Sequence, residues 1–302
     1  MTQVDGFLNL CKPLGWTSHD VVGFVRRCIG QRRVGHAGTL DPAASGVLPL
    51  CLGRATRLAD RVATGSKLYA ADLLLGVTTE TGDAEGRLLA ERPVGPAPLS
   101  AIAAVLAGQV GTIGQRPPAY SALKVQGVPA YARARRGETV TLATREVTVY
   151  GMAVVGWEQP RLTVLVHCSK GTYIRSLARD VGEALGCGAH LDALIRLAVG
   201  RFTLADAVAV EAFERAVAEG WWRDLVLPAD TPLAEVPALV LSKARRAAFA
   251  HGQAWAASAP RPEARAFGAD GSFMGLARAE SAGTRWQPAL SFVYDPDVTS
   301  DS

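Results

Sequence analysis

Short apolar runs and helical stripes alternate along this chain. Phe7 to Leu10 forms a strand candidate, closed by the turn residues Lys12-Pro13-Leu14-Gly15. Thr17 and Asp20 have the spacing of a capping box, and Val21, Val25, Cys28 and Ile29 then share one helical face that ends near Gly30. Val47 to Leu52 is an apolar run of strand length in which Pro49 predicts an edge or a bulge. A helix is expected over 54–63 and a strand from Lys67 to Leu75. The polar loop 78–86 follows, in which Asp83 and Glu85 read as a solvated turn. Leu99, Ile102 and Leu106 predict an inward-facing helix over 98–108, and strands follow at 146–156 and 161–168. Ile174, Leu177, Val181 and Leu185 make a second helical stripe, stopped at Gly186. Prolines at 228, 232 and 237 predict a linker. Beyond it Asp270-Gly271 marks a hairpin, while the alanine-rich stretch 243–259 reads as helix.

Composition adds bounds. The chain has 302 residues, 49% hydrophobic and 20% charged, enough for one large domain and a small one. Net charge is only +4, but residues 1–70 hold nine Lys or Arg against four Asp. Arg26, Arg27, Arg32 and Arg33 lead directly into the glycine-rich stretch that follows, a balance that suits a phosphate-rich partner, although charge alone fits an ordinary solvated surface better. Five cysteines without a CxxC pair, and five histidines without an HxxxH pair, speak against a disulfide framework or a zinc site. The chain has no phosphate-binding GxxxxGK[ST], and Gly186-Cys187-Gly188 lacks the third glycine of a dinucleotide site. No metal or cofactor is expected. No signal peptide or membrane-spanning run is visible, so the cytoplasm is the expected location.

Residues 35–53, GHAGTLDPAASGVLPLCLG, concentrate the chemistry. Apart from the Cys51 thiol, only His36 and Asp41 titrate there. Pro42 biases Asp41 towards extended angles and so helps to aim its carboxylate. Asp-Pro alone is a common turn initiator. A carboxylate in apolar surroundings nonetheless needs a cation or several donors to stay ionised, which asks for an Arg elsewhere in the chain. The segment QRPPAYSALKVQGVPAYARARRG at 115–137 interleaves cations with tyrosines, as a loop that clamps nucleic acid does.

The string GHAGTLDP at 35–42, with SGVL and GRATR up to residue 57, resembles the signature of the TruB family of tRNA pseudouridine synthases. KPLGWTS at 12–18, the 115–137 segment and KGTYIRS from 170 resemble further motifs of that family, and the likeness spans roughly residues 7–202. It implies an α+β fold: a catalytic domain over 1–230 with a mixed or antiparallel sheet and an RNA-gripping insertion at about 115–140, then a small β-rich PUA-like domain over 236–296. It implies isomerisation of uridine 55 in the T-loop of tRNA, with the T-arm as partner, no protein partner, a monomer, and no cofactor. By resemblance Asp41 is the nucleophile, attacking either C1′ of the ribose or C6 of the uracil, and Arg175 is the guanidinium paired with it. His36, Tyr69, Tyr173 and Leu194 are then placed around the base, and Lys12, Lys124, Arg133, Arg135 and Arg136 on the RNA. Two departures stand out. Cys11 occupies a position where the family carries an acidic residue, and Leu194-Ile195-Arg196 replaces Leu-Arg-Arg, implying one phosphate contact fewer.

Two other classes compete. A tRNA-folding module would keep the basic loop and have no need of Asp41. A glycosidic hydrolase requires a second carboxylate flanking the site, and no second motif supplies one.

Overall fold

The computed structural model describes residues 3–121, 123–125, 127–134, 136–138, 142–257, 261–280 and 283–293. The first unit comprises β1 (Gly6–Lys12), α1 (Ser18–Ile29), β2 (Val34–His36) and β3 (Ala44–Leu52). The Thr17 capping box is formed in both directions, and Gly30 ends α1 at φ 64°, in the left-handed region that favours glycine. β1 and β3 pair antiparallel from Gly6↔Leu52 to Lys12↔Gly46. Both faces of this pair are buried: Leu8, Leu10, Leu48, Leu50 and Leu52 meet Val21, Val25 and Phe213, whereas Phe7, Val47 and Cys51 pack on the other side. Burial on two faces explains an apolar run without polar alternation.

Further along come β4 (Lys67–Leu75), β5 (Gly111–Gln115), β6 (Arg145–Glu158) and β7 (Arg161–Cys168), then α2 (Ile174–Ala184) and β8 (Ala189–Val199). They complete a ten-stranded mixed sheet in the order 208–209, β1, β3, β8, β4, β7, β6, β5, with β2 and 202–203 attached at the side. β8 runs parallel to β3 and antiparallel to β4. One face of β4, β7 and β8 is covered by Ile174, Leu177 and Val181 of α2 and by Ile102 and Leu106 of helix Leu99–Ala107.

Two expectations are corrected here. Pro49 does not mark an edge. β3 is interior, and its second neighbour changes from β2, paired through His36↔Leu50, to β8, paired from Arg196↔Gly46. The Pro49 carbonyl accepts from the Ala37 N–H at 2.9 Å on that side, so the missing N–H faces the gap between β2 and β8. Leu99, the first residue of its helix, is exposed; Ile102 and Leu106 point inward, with Val105 packed beside them.

The C-terminal region forms a five-stranded sheet in the order 238–240, 263–267, 273–279, 285–291, 255–256, with the hairpin turning at Asp270-Gly271. Among the described residues of the alanine-rich stretch, only Lys243–Ala250 is helical. Leu276 and Phe292 join Phe7, Val47 and Cys51 in one cluster, which seats this sheet on the back of β1 and β3. The proline-rich stretch before it is laid against the fold. Phe7 and Leu227 exchange backbone hydrogen bonds, and Leu233 is buried. The result is α+β with a mixed sheet and a β-rich C-terminal part, as the family resemblance implies. Among the described residues no helix is long and apolar enough to cross a membrane.

Candidate active site

The loop between β2 and β3 carries Asp41, and its backbone is held from several directions. Ser18 at the start of α1 donates from its hydroxyl to the Leu40 carbonyl at 3.0 Å and accepts the Leu40 N–H at 2.8 Å. The Arg196 guanidinium, only 1% exposed, donates to the carbonyls of Val47, Thr39 and Gly38 at 2.8, 3.2 and 3.0 Å. Gly46 permits this closeness: at φ 104°, a β-carbon there would lie 2.3 Å from the Arg196 carbonyl oxygen.

Lys12 is fully buried. Its ammonium donates to the carbonyls of Trp16, Pro13 and Pro42 at 2.6, 2.9 and 3.4 Å. This corrects its expected role. A side chain without exposed surface and with its donors spent on carbonyls does not reach RNA; it ties the 12–16 turn to the Asp41 loop. Gly15 adds a backbone bond to the same Pro42 carbonyl at 2.9 Å. Burial lowers the Lys12 pKa to about 8 despite the neighbouring Asp41 charge, which leaves it mainly protonated at neutral pH.

The Asp41 carboxylate is half-exposed. Arg175, in the first turn of α2 and 8% exposed, reaches it at 2.8 Å from Nη2 to Oδ2. The rest of the fork is occupied: Nη1 lies 3.3 Å from Asp83 Oδ2 and donates to the Thr81 carbonyl at 3.2 Å, and Nη2 donates to the Tyr120 carbonyl at 3.0 Å. One guanidinium thus bridges two carboxylates, one open to a ligand and one buried. The start of α2 is itself pinned by Gln115 of β5, whose amide accepts from the Tyr173 N–H at 2.8 Å and donates to the Tyr173 carbonyl at 3.1 Å.

Of the other residues expected around the base, the two tyrosines approach this carboxylate. Tyr69 on β4 pairs across to Arg196 on β8, and Leu194 pairs with Ala71 and Ala44. Tyr69 and Tyr173 both lie within electrostatic reach of Asp41, and burial raises the pKa of both phenols, so they are neutral. Arg196 also hydrogen-bonds the Tyr69 side chain. Leu194 packs against the core cluster that contains Tyr69 and Leu40. His36 ends β2 with its ring 5.9 Å from that of His19, edge to face, and its buried Nδ1 has no hydrogen-bond partner among the described residues. Burial, then the charges of His19 and Arg196, lower its pKa, which keeps the imidazole neutral.

The cations expected on the RNA are less uniform. Arg133 Nε lies 2.6 Å and Arg136 Nη1 3.7 Å from the same Glu138 carboxylate. Lys124 opens a two-residue strand with Val125, and Arg135 lies outside the described residues. Of the 115–140 segment, the part from Gln115 to Tyr120 supports the site through Tyr173 and Arg175.

Asp83 was missed as a site residue. The string TTETGDAEG reads as a solvated turn, but the loop is stitched to β8 by Ala84 N–H to Leu191 O and Leu191 N–H to Gly82 O at 3.1 and 3.0 Å. That pairing buries the Asp83 side chain beside Arg175. Its position within a stretch that carries family resemblance was the available signal. Arg196 is a second residue to which the sequence assigned no role; it is buried beneath the loop, while Ile195 is exposed on the opposite face of the strand.

A half-open carboxylate, fixed by a buried guanidinium and flanked by neutral phenols and a leucine, can attack an electrophilic carbon and receive a flat ring against an apolar wall. No group of three or more His, Cys, Asp or Glu suited to a metal occurs among the described residues. Comparisons agree with this chemistry. Residues 26–174 match the family described as TruB family pseudouridylate synthase (N terminal domain), and residues 175–234 match the tRNA pseudouridylate synthase B C-terminal domain. The chain is 45% identical over 255 residues to tRNA pseudouridine synthase B of Ralstonia pickettii, covering 83% of this chain and 80% of that protein. It is 43% identical over 280 residues to the protein of the same name from Xanthomonas axonopodis pv. citri, covering 92% and 91%. Among solved structures it resembles a chain of an H/ACA RNP bound to a substrate RNA containing 2'-deoxyuridine, with TM-score 0.72, 25% identity, and coverage of 96% of this chain and 85% of that one. It also resembles a chain of a Cbf5-Nop10-Gar1 complex, with TM-score 0.69, 28% identity, and coverage of 91% and 78%.

Proposed function

The chain belongs to the TruB family of pseudouridylate synthases, and on that premise we propose that it isomerises uridine 55 in the T-loop of tRNA to pseudouridine, with Asp41 as nucleophile. The observation that carries the reading is the 2.8 Å contact between the buried Arg175 guanidinium and the half-exposed Asp41 carboxylate. A guanidinium at that distance keeps a carboxylate ionised and oriented. The uracil leaves its N-glycosidic bond, rotates, and rejoins the same ribose through C5. Asp41 attacks either C1′ or C6, and Tyr69 stacks on the base and assists proton transfer. Tyr173 and Leu194 close the pocket. Residues 1–230 do the chemistry, and the β-rich part at 236–296 acts as a PUA-like RNA-binding module. Lys124, Arg133, Arg135 and Arg136 contact the T-arm, the two described arginines sharing Glu138 until phosphate replaces it. All these groups come from one chain, so the reading needs no second subunit. Its place of work is the cytoplasm.

The target base is stacked inside folded RNA and is flipped out at a cost of a few kcal/mol. In this reading His36, neutral and with an unpaired Nδ1, fills the vacated space. His36→Ala is expected to slow single-turnover conversion of folded tRNA much more than that of a short RNA whose target uridine is already unstacked. Equal rates for variant and wild type on folded tRNA would remove His36 from this role.

The activity itself is tested by tritium release from tRNA carrying uridine tritiated at C5. Wild-type protein should release one tritium per tRNA molecule, that of uridine 55, and no free uracil. Free uracil or an abasic product would favour the hydrolase, and RNA binding without release would favour the folding module.

A further inference from the structure

We propose that the exposed face of α1 is a track for RNA phosphates, leading away from the nucleophile loop from the His19–His36 pair to Arg27 and Arg32. The inference rests on the isomerase reading only for the identity of the RNA. Ser18, the first residue of α1, is bonded to Leu40 beside Asp41, so the helix starts at the site. Its twelve residues carry the chain about 18 Å outward. His19, Gly23, Arg26 and Arg27, followed by Gly30, fall on one side of the helix at helical spacing. Gly23 leaves this strip open. A β-carbon there would lie 3.5 Å from Arg27 Nη1, so the Arg27 guanidinium lies back along the helix towards its start.

At the far end Arg26, Arg27, Gly30, Gln31 and Arg32 line an open groove of about 540 Å³. Part of its wall is fixed by the fold. Arg26 Nη2 donates to the Val34 carbonyl at 2.6 Å, and the Gln31 amide exchanges hydrogen bonds of 2.9 Å with the backbone of Val4. Arg27 and Arg32 are exposed, and neither is in an ion pair among the described residues. The helix's own acid, Asp20, is spent on Thr17 at the N-terminal cap. Cations in the last turn of a helix offset its dipole, which accounts for Arg26 and Arg27 in part. Arg32 lies beyond the helix and has no such role. Two unpaired guanidinium forks over a preformed groove, one helix length from the target base, have the chemistry of a phosphodiester contact.

The test uses the full chain and an unmodified tRNA transcript, with Kd measured between about 50 and 200 mM salt. Arg27→Glu with Arg32→Glu is expected to weaken binding about tenfold or more at low salt. It should also make the slope of log K against log salt shallower by roughly 1.4 to 1.8, the value for two phosphates. Arg27→Lys with Arg32→Lys should keep most of the slope. Kd and slope both equal to wild type in the double Glu variant would overturn the track. Should that variant melt early, Arg32→Glu alone decides, being outside the helix: a slope shallower by about 0.7 to 0.9 supports the proposal and an unchanged slope overturns it. The isomerase reading fails separately, if wild-type protein binds this transcript and releases no tritium from it.

Discussion

Asp41→Asn should lower tritium release from tRNA on the order of 10⁴-fold or more, as loss of a covalent nucleophile does. Affinity for the same RNA should stay within about twofold of wild type, since the substitution is isosteric at a half-exposed position. The two expectations separate because the loop does not depend on the Asp41 side chain for its shape. Its backbone is held by Ser18 at Leu40, by Arg196 at Gly38 and Thr39, and by Lys12 and Gly15 at Pro42. Arg175 in turn keeps Asp83, Thr81 and Tyr120 as partners when Asp41 is neutralised. The variant therefore presents the same surface to RNA without the attacking oxygen. Release within tenfold of wild type would show that another group performs the chemistry. Unchanged affinity with abolished release also disposes of the folding module as a complete account.

Much of this centre was legible in the sequence because its residues occupy contiguous motifs. GHAGTLDP located Asp41 and His36, KGTYIRS located Tyr173 and Arg175, and the apolar periodicities located α1, β4 and α2. What stayed hidden depends on contacts between distant segments. Lys12 resembles any surface lysine until the carbonyls of Trp16 and Pro42 are seen to surround it. Arg196 is separated by about 150 positions from the carbonyls that it binds, and no local pattern shows that an arginine next to an exposed isoleucine is buried. Pro49 broke a rule that holds for continuous ladders; the neighbour of β3 changes at that point, and the rule does not apply to the gap. Asp83 is the most instructive case. A string of Thr, Gly, Asp and Glu has the composition of a solvated turn, and only its pairing with Leu191 on β8 turns one carboxylate inward.

That buried carboxylate sets the terms for Arg175. Arg175→Lys is expected to cut the single-turnover rate by roughly 10² to 10³, comparable to removal of one oriented donor at a reacting centre, although the charge is retained. The reason is geometric. The guanidinium spans Asp41 Oδ2 at 2.8 Å and Asp83 Oδ2 at 3.3 Å while also satisfying two carbonyls, and a single ammonium cannot serve all four from one point. Arg175→Ala is a poorer test of mechanism. It leaves Asp83 buried without its cation, and breaking a buried pair costs about 3–5 kcal/mol of stability, so lost activity would be confounded with lost fold. Asp83→Asn resolves the ambiguity. It removes the competing carboxylate, keeps shape and retains the Oδ1 that accepts from Thr81 and Glu85, so slowing reports how Arg175 is aimed. A smaller slowing than in Arg175→Lys, with tRNA affinity unchanged in both, would establish the order Asp83, Arg175, Asp41 as a chain of orientation. Wild-type rates in Arg175→Lys would show that charge alone suffices and that the fork is incidental.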